Sequence, residues 1–148
     1  MSYVTSLHHI VFCTKERRLN IPLGRKDVLY RFINRQIEDL GCKLIVIGGI
    51  QNHVHLLVDL HPSVPLSKLV QNIKSRSSGW MRSEPTLWNF VGWASEYYAC
   101  SVSPKLKDIV INYIRNQEEH HLGISLDDEL RNLYKSAGLT YDPERYLK

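Results

Sequence analysis

The sequence predicts an α+β fold built on one antiparallel sheet, and three observations carry that expectation. Segments rich in strand formers recur four times along the 148 residues. Amphipathic helical segments separate them in the order strand, helix, strand, strand, helix, strand, with further helices after the last strand. Strands two and three are joined by a short turn, the connection that antiparallel neighbours use. That order is the βαββαβ sandwich of ferredoxin-like or RRM-like type, with helices expected on one face of the sheet and a single domain over residues 1–148.

Strand one is read in Thr5 to Cys13, TSLHHIVFC, where apolar residues roughly alternate; the charged TKERR ends it. From Asp27, the residues Val28, Leu29, Phe32, Ile33, Ile37 and Leu40 recur at three- and four-residue intervals, a helix closed by Gly41. KLIVIGGIQ is strand two, and Gly48-Gly49 predicts a bulge or a close approach of another backbone. HVHLLVDL is strand three, entered through a turn near Gln51-Asn52. After HPSVP, a second helix places Leu66, Leu69, Val70, Ile73, Ser77 and Trp80 on one side, with Lys68, Lys74, Arg76 and Arg82 mostly elsewhere. SEPTLWNFVG is loop and ASEYYACSV is strand four. Ser103 as N-cap and Pro104 at the first helical position start a third helix, expected to run unbroken through KLKDIVINYIRNQEEHH to Gly123. Ser125 with Asp128 opens a last helix, LDDELRNLYKSA, which stops at Gly138.

Composition narrows the class. Hydrophobic residues make up 43% and charged residues 23%, the balance of an ordinary globular chain. No apolar run approaches the roughly 20 residues of a membrane span, and the first residues lack the pattern of a signal peptide. Cys13, Cys42 and Cys100 are odd in number and scattered, so a reducing cytoplasm is expected. The net charge of +4 tilts mildly toward anionic partners such as nucleic acid.

His53 and His55 interrupt the apolar stretch QNHVHLLVDL. Side chains two apart on a strand share a face, so the imidazoles are expected side by side, with Val54, Leu56 and Val58 packed under helices on the other face. The pair is expected on the face that this fold leaves open for ligands, where two neutral imidazoles can grip one divalent ion or flank a phosphate. Two histidines on a half-exposed sheet carry the same pattern. A partner for the pair is offered by the third helix, whose stripe reads Leu106, Ile109, Val110, Tyr113, Ile114 and Gln117. Gln117 is an amide where a leucine would continue the stripe, and its oxygen suits a third ligand. Tyr113 lies one turn earlier on the same face. The other reading is a core tyrosine and a helix leaving the core at Gln117.

His53-Val54-His55 with the Leu-Leu-Val that follows, SKLVQNIKSRSS from Ser67 to Ser78, Trp93 with YYACSV, and Tyr113-x-x-x-Gln117 resemble, in this order, the single-tyrosine HUH transposases. These are the small transposases of minimal bacterial insertion sequences and their relatives at repetitive extragenic palindromes. The resemblance is collinear from about His8 to Gln117. It implies Mg²⁺ or Mn²⁺ held by His53, His55 and Gln117, withdrawing charge from the scissile phosphate. It implies attack by Tyr113, giving a 5′-phosphotyrosine and a free 3′-hydroxyl. Strand transfer then needs no ATP, because the linkage conserves the energy of the broken bond.

The substrate implied is single-stranded DNA with imperfect hairpins. Lys68, Lys74, Arg76 and Arg82, with Lys15, Arg17 and Arg18 after strand one, are the expected backbone contacts. Trp93, Tyr97 and Tyr98 are candidates to stack unpaired bases, although core burial is the usual fate of an aromatic. The resemblance further implies a homodimer in which the tyrosine helix can serve the partner's histidines, acting in the bacterial cytoplasm at the nucleoid.

Some residues depart from the pattern. Many relatives carry Pro-Asp before the first histidine, whereas Gly49, Ile50, Gln51 and Asn52 supply no carboxylate. The expected site of two imidazoles and one amide therefore has no negative charge of its own. Glu96 is expected to face solvent rather than replace that carboxylate. His120 and His121 are read as exposed helix-end residues favouring the C-terminal dipole, and only one of His8 and His9 can face the site. Three other functions fit the same features: a rolling-circle HUH nickase, a degenerate or non-catalytic hairpin-binding module, and a metallohydrolase using water.

Overall fold

Four strands, β1 (Leu7–Thr14), β2 (Lys43–Ile50), β3 (His53–Asp59) and β4 (Trp93–Val102), form one sheet in the order β2-β3-β1-β4, each neighbouring pair antiparallel. The computed structural model describes residues 2–146. The expected α+β sandwich is the architecture observed. Helices α1 (Lys26–Asp39) and α2 (Leu66–Arg82) cover one face, where Ile10, Phe12, Val54, Leu56 and Val58 meet Leu29, Ile33, Ile37, Leu69 and Ile73. Phe32 and Trp80 stack between the two helices at 4.4 Å, and Trp93 Nε1 donates to Ser77 Oγ at 2.9 Å.

The opposite face is covered as well, which corrects the expectation of helices on one side only. It carries α3 (Lys107–Arg115), α4 (Gln117–His120) and α5 (Leu126–Ser136). Ile114 packs on Leu7, Val46 and Leu57, while Leu126 and Leu130 pack on Val11, Cys13, Ala94 and Tyr98. The cause is in the strands: β1 and β3 are apolar on alternate and intervening residues alike, and a strand buried on both faces needs two covers.

Two local features bring this cover close to the sheet. A β-carbon built on Gly48 would stand 2.3 Å from the carbonyl oxygen of Ile114, so α3 rests directly on the β2 backbone. The predicted close approach is therefore at Gly48, while the bulge lies earlier, between Leu44 and Val46. The third helix is not continuous: Asn116, at φ −98° and ψ 23°, ends α3 and starts α4. The expected stripe shifts with it. Leu106 and Ile109 are 51% and 65% exposed, whereas Val110, Ile111, Ile114 and Gln117 face inward.

Ser125 caps α5 by accepting from the Asp128 amide at 3.1 Å, as its sequence predicts. Arg17 and the Tyr141 hydroxyl both reach Asp127 Oδ1, at 3.3 and 2.8 Å, and tie α5 to the turn after β1. In that turn Glu16 and Arg17 have φ of 56° and 55°, a backbone state that costs non-glycine residues about 1–3 kcal/mol each. Among the described residues, no helix is long and apolar enough to cross a membrane.

Candidate active site

Strand β3 turns His53 and His55 toward the α3–α5 side, and both are fully buried. The face that was expected to be open is closed over them. Tyr113 comes from α3, Gln117 from the first position of α4, His121 from the turn after α4, and Glu129 from α5. His9 joins them from β1; His8 points elsewhere, its Nδ1 at 3.2 Å from the Ser6 carbonyl.

The Glu129 carboxylate is the centre of the cluster. Its Oε1 lies 3.2 Å from His53 Nε2, 3.2 Å from His55 Nε2 and 2.9 Å from His121 Nε2. Its Oε2 accepts from Gln117 Nε2 at 3.0 Å and from the Tyr113 hydroxyl. Gln117 Oε1 lies 3.0 Å from His53 Nε2, so this amide links the histidine to the carboxylate. The Tyr113 and His55 rings meet edge to face at 5.6 Å.

Burial by itself raises a carboxyl's pKa, yet hydrogen bonds to His121, His53 and His55 hold Glu129 far below the usual carboxylate range. Burial, helped by the neighbouring His53, lowers His55 to about 4 against the pull of Glu129. Burial and His55 lower His9 to about 3. Burial, then the hydrogen bond and charge of Glu129, push the Tyr113 phenol well above its ordinary value.

The donor set fits a divalent cation. His121 Nδ1 donates to the Ile124 carbonyl at 2.8 Å, and His53 Nδ1 to Asn52 Oδ1 at 2.8 Å. Each neutral ring then presents a bare Nε2 lone pair to a carboxylate oxygen, an arrangement that calls for a proton or a cation between them. His53 Nε2, His55 Nε2 and a Glu129 oxygen lie within 4.8 Å of one another. Separations of 3.2 Å suit two ligands each about 2.1 Å from one ion.

The structure thus gathers His53, His55, Tyr113 and Gln117 within one chain and adds two residues read otherwise from the sequence. Glu129 overturns the expectation of a site without negative charge. Its signal was present: Glu129 stands among Leu126, Leu130 and Leu133 on the inner side of α5, the same anomaly that marked Gln117. His121 was expected to be exposed, but its side chain is only 6% so, because the break at Asn116 redirects the chain. Glu96 faces outward to Arg145 at 2.8 Å, as expected.

The basic residues divide. Lys15, Lys74 and Arg82 line a groove of 580 Å³ between α2 and the start of β4, with Ser75, Ser78 and Tyr97. Lys74 Nζ donates to the Ala94 carbonyl and Arg82 Nη2 to that of Val91, both at 2.6 Å. Lys68 and Arg76 are exposed outside the groove, and Arg18 meets Glu16 at 3.4 Å. Tyr98 belongs to the core, whereas Tyr97 and an edge of the largely buried Trp93 line the groove. A cleft of 150 Å³, bordered by Tyr113, His120, Glu129, Asn132 and Ser136, leads to the Tyr113 phenol between α3 and α5.

Comparison with known proteins gives a consistent picture. The family described as IS200-like transposase matches residues 2–117. The ISDra2 transposase TnpA of Deinococcus radiodurans is 28% identical over 127 residues, 79% of this chain and 88% of its own length. A crystal structure of a transposase from Deinococcus radiodurans R1 superposes with a TM-score of 0.62 at 24% identity, covering 79% of this chain and 95% of that one. A REP-associated tyrosine transposase bound to a REP hairpin superposes with a TM-score of 0.64 at 14% identity, covering 95% and 86%. The two structures share the fold. The family match ends at Gln117, so Glu129 lies beyond it.

Proposed function

The chain belongs to the family of IS200-like transposases, and from that premise we propose that it cleaves and rejoins single-stranded DNA through a covalent tyrosine–DNA intermediate. The observation that carries the reading is the meeting of Tyr113, His53 and His55 on the single carboxylate of Glu129. The phenol oxygen of Tyr113 attacks the phosphorus, the bond to the 3′-oxygen breaks, and a 5′-phosphotyrosine and a 3′-hydroxyl result. One phosphodiester replaces another, so a second strand's 3′-hydroxyl can reverse the step and join. Glu129 Oε2, which already accepts the phenol's hydrogen bond, takes the proton as the new P–O bond forms, and the departing 3′-oxygen receives it to become the 3′-hydroxyl. A divalent cation on His53, His55 and Glu129 supplies Lewis-acid withdrawal of charge from the phosphate. Two imidazoles and one carboxylate suit Mn²⁺ ahead of Mg²⁺, and Gln117 orients rather than ligates.

Hairpin-bearing DNA is the proposed substrate, supported by the fold neighbour bound to a REP hairpin. The groove with Lys15, Lys74, Arg82 and Tyr97 suits an unpaired strand, with its backbone on the cations and a base against the ring. It reaches the same end of the sheet as His53, where Thr14 and Lys15 donate to the carbonyls of Asn52 and Gly92. Lys68, Arg76 and Arg18 are outer phosphate contacts in this reading. The cleft beside Tyr113 opens between α3 and α5 and is the route by which a phosphate can approach the phenol. Tyr113 meets the histidines of its own chain, so cleavage in cis needs no second copy. The proposed homodimer then serves to hold two DNA ends, at the nucleoid of a bacterial cytoplasm.

The test is Tyr113→Phe with a labelled hairpin-bearing strand and Mn²⁺. The parent should give a protein–DNA adduct that survives denaturing electrophoresis, and the variant should bind the strand without cutting it. Cleavage by the variant would remove Tyr113 from the chemistry. Cleavage by the parent without an adduct would assign the reaction to water.

A further inference from the structure

We infer that His9 is a positioning residue for the candidate cation site, holding His55 in the ring orientation and tautomer that ligation requires. The inference rests on the reading of His55 as a ligand. His9 Nε2 lies 2.8 Å from His55 Nδ1, the ring nitrogen turned away from Glu129. The rings stack at 5.1 Å with 24° between their planes. The strand register pairs Val11 with His55 and His9 with Leu57, so His9 reaches His55 diagonally on the same sheet face. The edges of Tyr98 and Tyr113, at 5.7 and 6.0 Å, fix the His9 ring, which is 6% exposed.

Between two neutral imidazoles only one hydrogen fits. A cation on His55 Nε2 needs the lone pair there, so the ring's hydrogen must sit on Nδ1 and be donated to His9 Nε2. Without a cation, His9 Nε2–H donates to His55 Nδ1, and His55 Nε2–H faces Glu129 Oε1 at 3.2 Å. One contact therefore supports both states with no rotation of the ring. A carbonyl in place of His9 could only accept, and an ammonium could only donate. His53 and His121 have oxygen partners at their outer nitrogens, Asn52 Oδ1 and the Ile124 carbonyl. His55 is the one of the three whose outer nitrogen meets a group able to do either.

The test titrates the purified protein with Mn²⁺ alone by calorimetry. His9→Phe keeps a ring and removes both nitrogens, and it should weaken binding about 10- to 100-fold. His9→Gln, whose amide can donate or accept near the position of Nε2, should recover most of the loss. A role limited to filling space would leave the Phe variant as tight as the parent. That result overturns the inference and leaves the metal reading standing. No Mn²⁺ uptake by the parent overturns both. A second measurement needs no variant: imidazole nitrogen NMR of the parent, titrated with diamagnetic Zn²⁺. The His55 hydrogen should move from Nε2 to Nδ1 as His9 loses its own from Nε2. A His55 shift with His9 unchanged overturns the coupling.

Discussion

The hydroxyl of Tyr113 and the carboxylate of Glu129 are hydrogen-bonded across α3 and α5, on the sheet face that carries His53 and His55. Phenol and carboxylate come from opposite sides of the break at Asn116, so the cluster exists only when α5 is seated. In that state the phenol is held protonated, by burial first and then by Glu129.

Replacing Glu129 by Gln keeps the size and removes the charge. The new amide nitrogen must then face a donor, Tyr113 and Gln117 at one oxygen's place or the His55 Nε2–H at the other's. A buried mismatch of this kind costs about 1–3 kcal/mol, measurable by urea denaturation of the cation-free protein. Mn²⁺ affinity should fall by at least about tenfold in the same variant. An unaltered Mn²⁺ titration would take Glu129 out of the ligand set.

Ion binding should also stabilise the fold. Free Mn²⁺ at 100 times its dissociation constant adds about 2.7 kcal/mol to the native state. For a chain of this size that raises Tm by roughly 5–11 °C, reversed by a chelator. His53→Ala and His55→Ala should each erase the rise. A melting curve indifferent to Mn²⁺ in the parent would sink the cation site.

The sequence exposed the sheet because its signals are local. Period-two alternation, the short turn at Gln51-Asn52, Gly41, and Ser103-Pro104 are each read within a few residues. The histidine pair was legible because polar side chains broke an apolar strand, and Gln117 because it broke a helical stripe. Glu129 broke a stripe in the same way, but LDDELRN holds three carboxylates in seven residues, and one buried member does not stand out there. The helix break at Asn116 had no comparable mark. It is imposed by packing: α3 must lie on β2 at Gly48 while the side chains of Gln117 and His121 beyond the break must reach His53 on β3. Such tertiary requirements override local propensity, and with the break went the burial of His121.

Gly48→Ala tests the seat of α3. The added methyl would meet the Ile114 carbonyl at 2.3 Å, and that neighbour is backbone, which cannot rotate away. Overpacking of this kind costs about 1–3 kcal/mol. Because Tyr113 precedes Ile114 directly, the displaced helix should carry the phenol with it. Adduct formation should fall more than stability alone explains at a temperature where the variant is folded. Full activity in a folded Gly48→Ala variant would mean that α3 need not sit where it does.

Acidification should weaken the cation-free protein well before its carboxylates titrate. The folded-state values of His55 and His9 are lowered to about 4 and about 3, while the unfolded imidazole titrates near 6.5. Between those limits the unfolded chain binds protons that the folded chain refuses, so stability is full above pH 6.5 and falls as pH falls. Each buried imidazole contributes up to about 1.4 kcal/mol per pH unit across that window. His121 has the opposite sign, since Glu129 outweighs its burial and raises its value. Its contribution is full below about 6.5 and is lost as pH rises through the folded value, which leaves the acid limb to His9 and His55. Glu129, held low, adds its own loss only below about 4.5. Urea midpoints at pH 7 and pH 5, both with chelator, measure the effect, and His9→Gln should make the decline shallower by one imidazole's share. Equal midpoints at the two pH values would mean that these rings accept protons inside the fold, and that the burial of the histidine cluster is not what keeps them neutral.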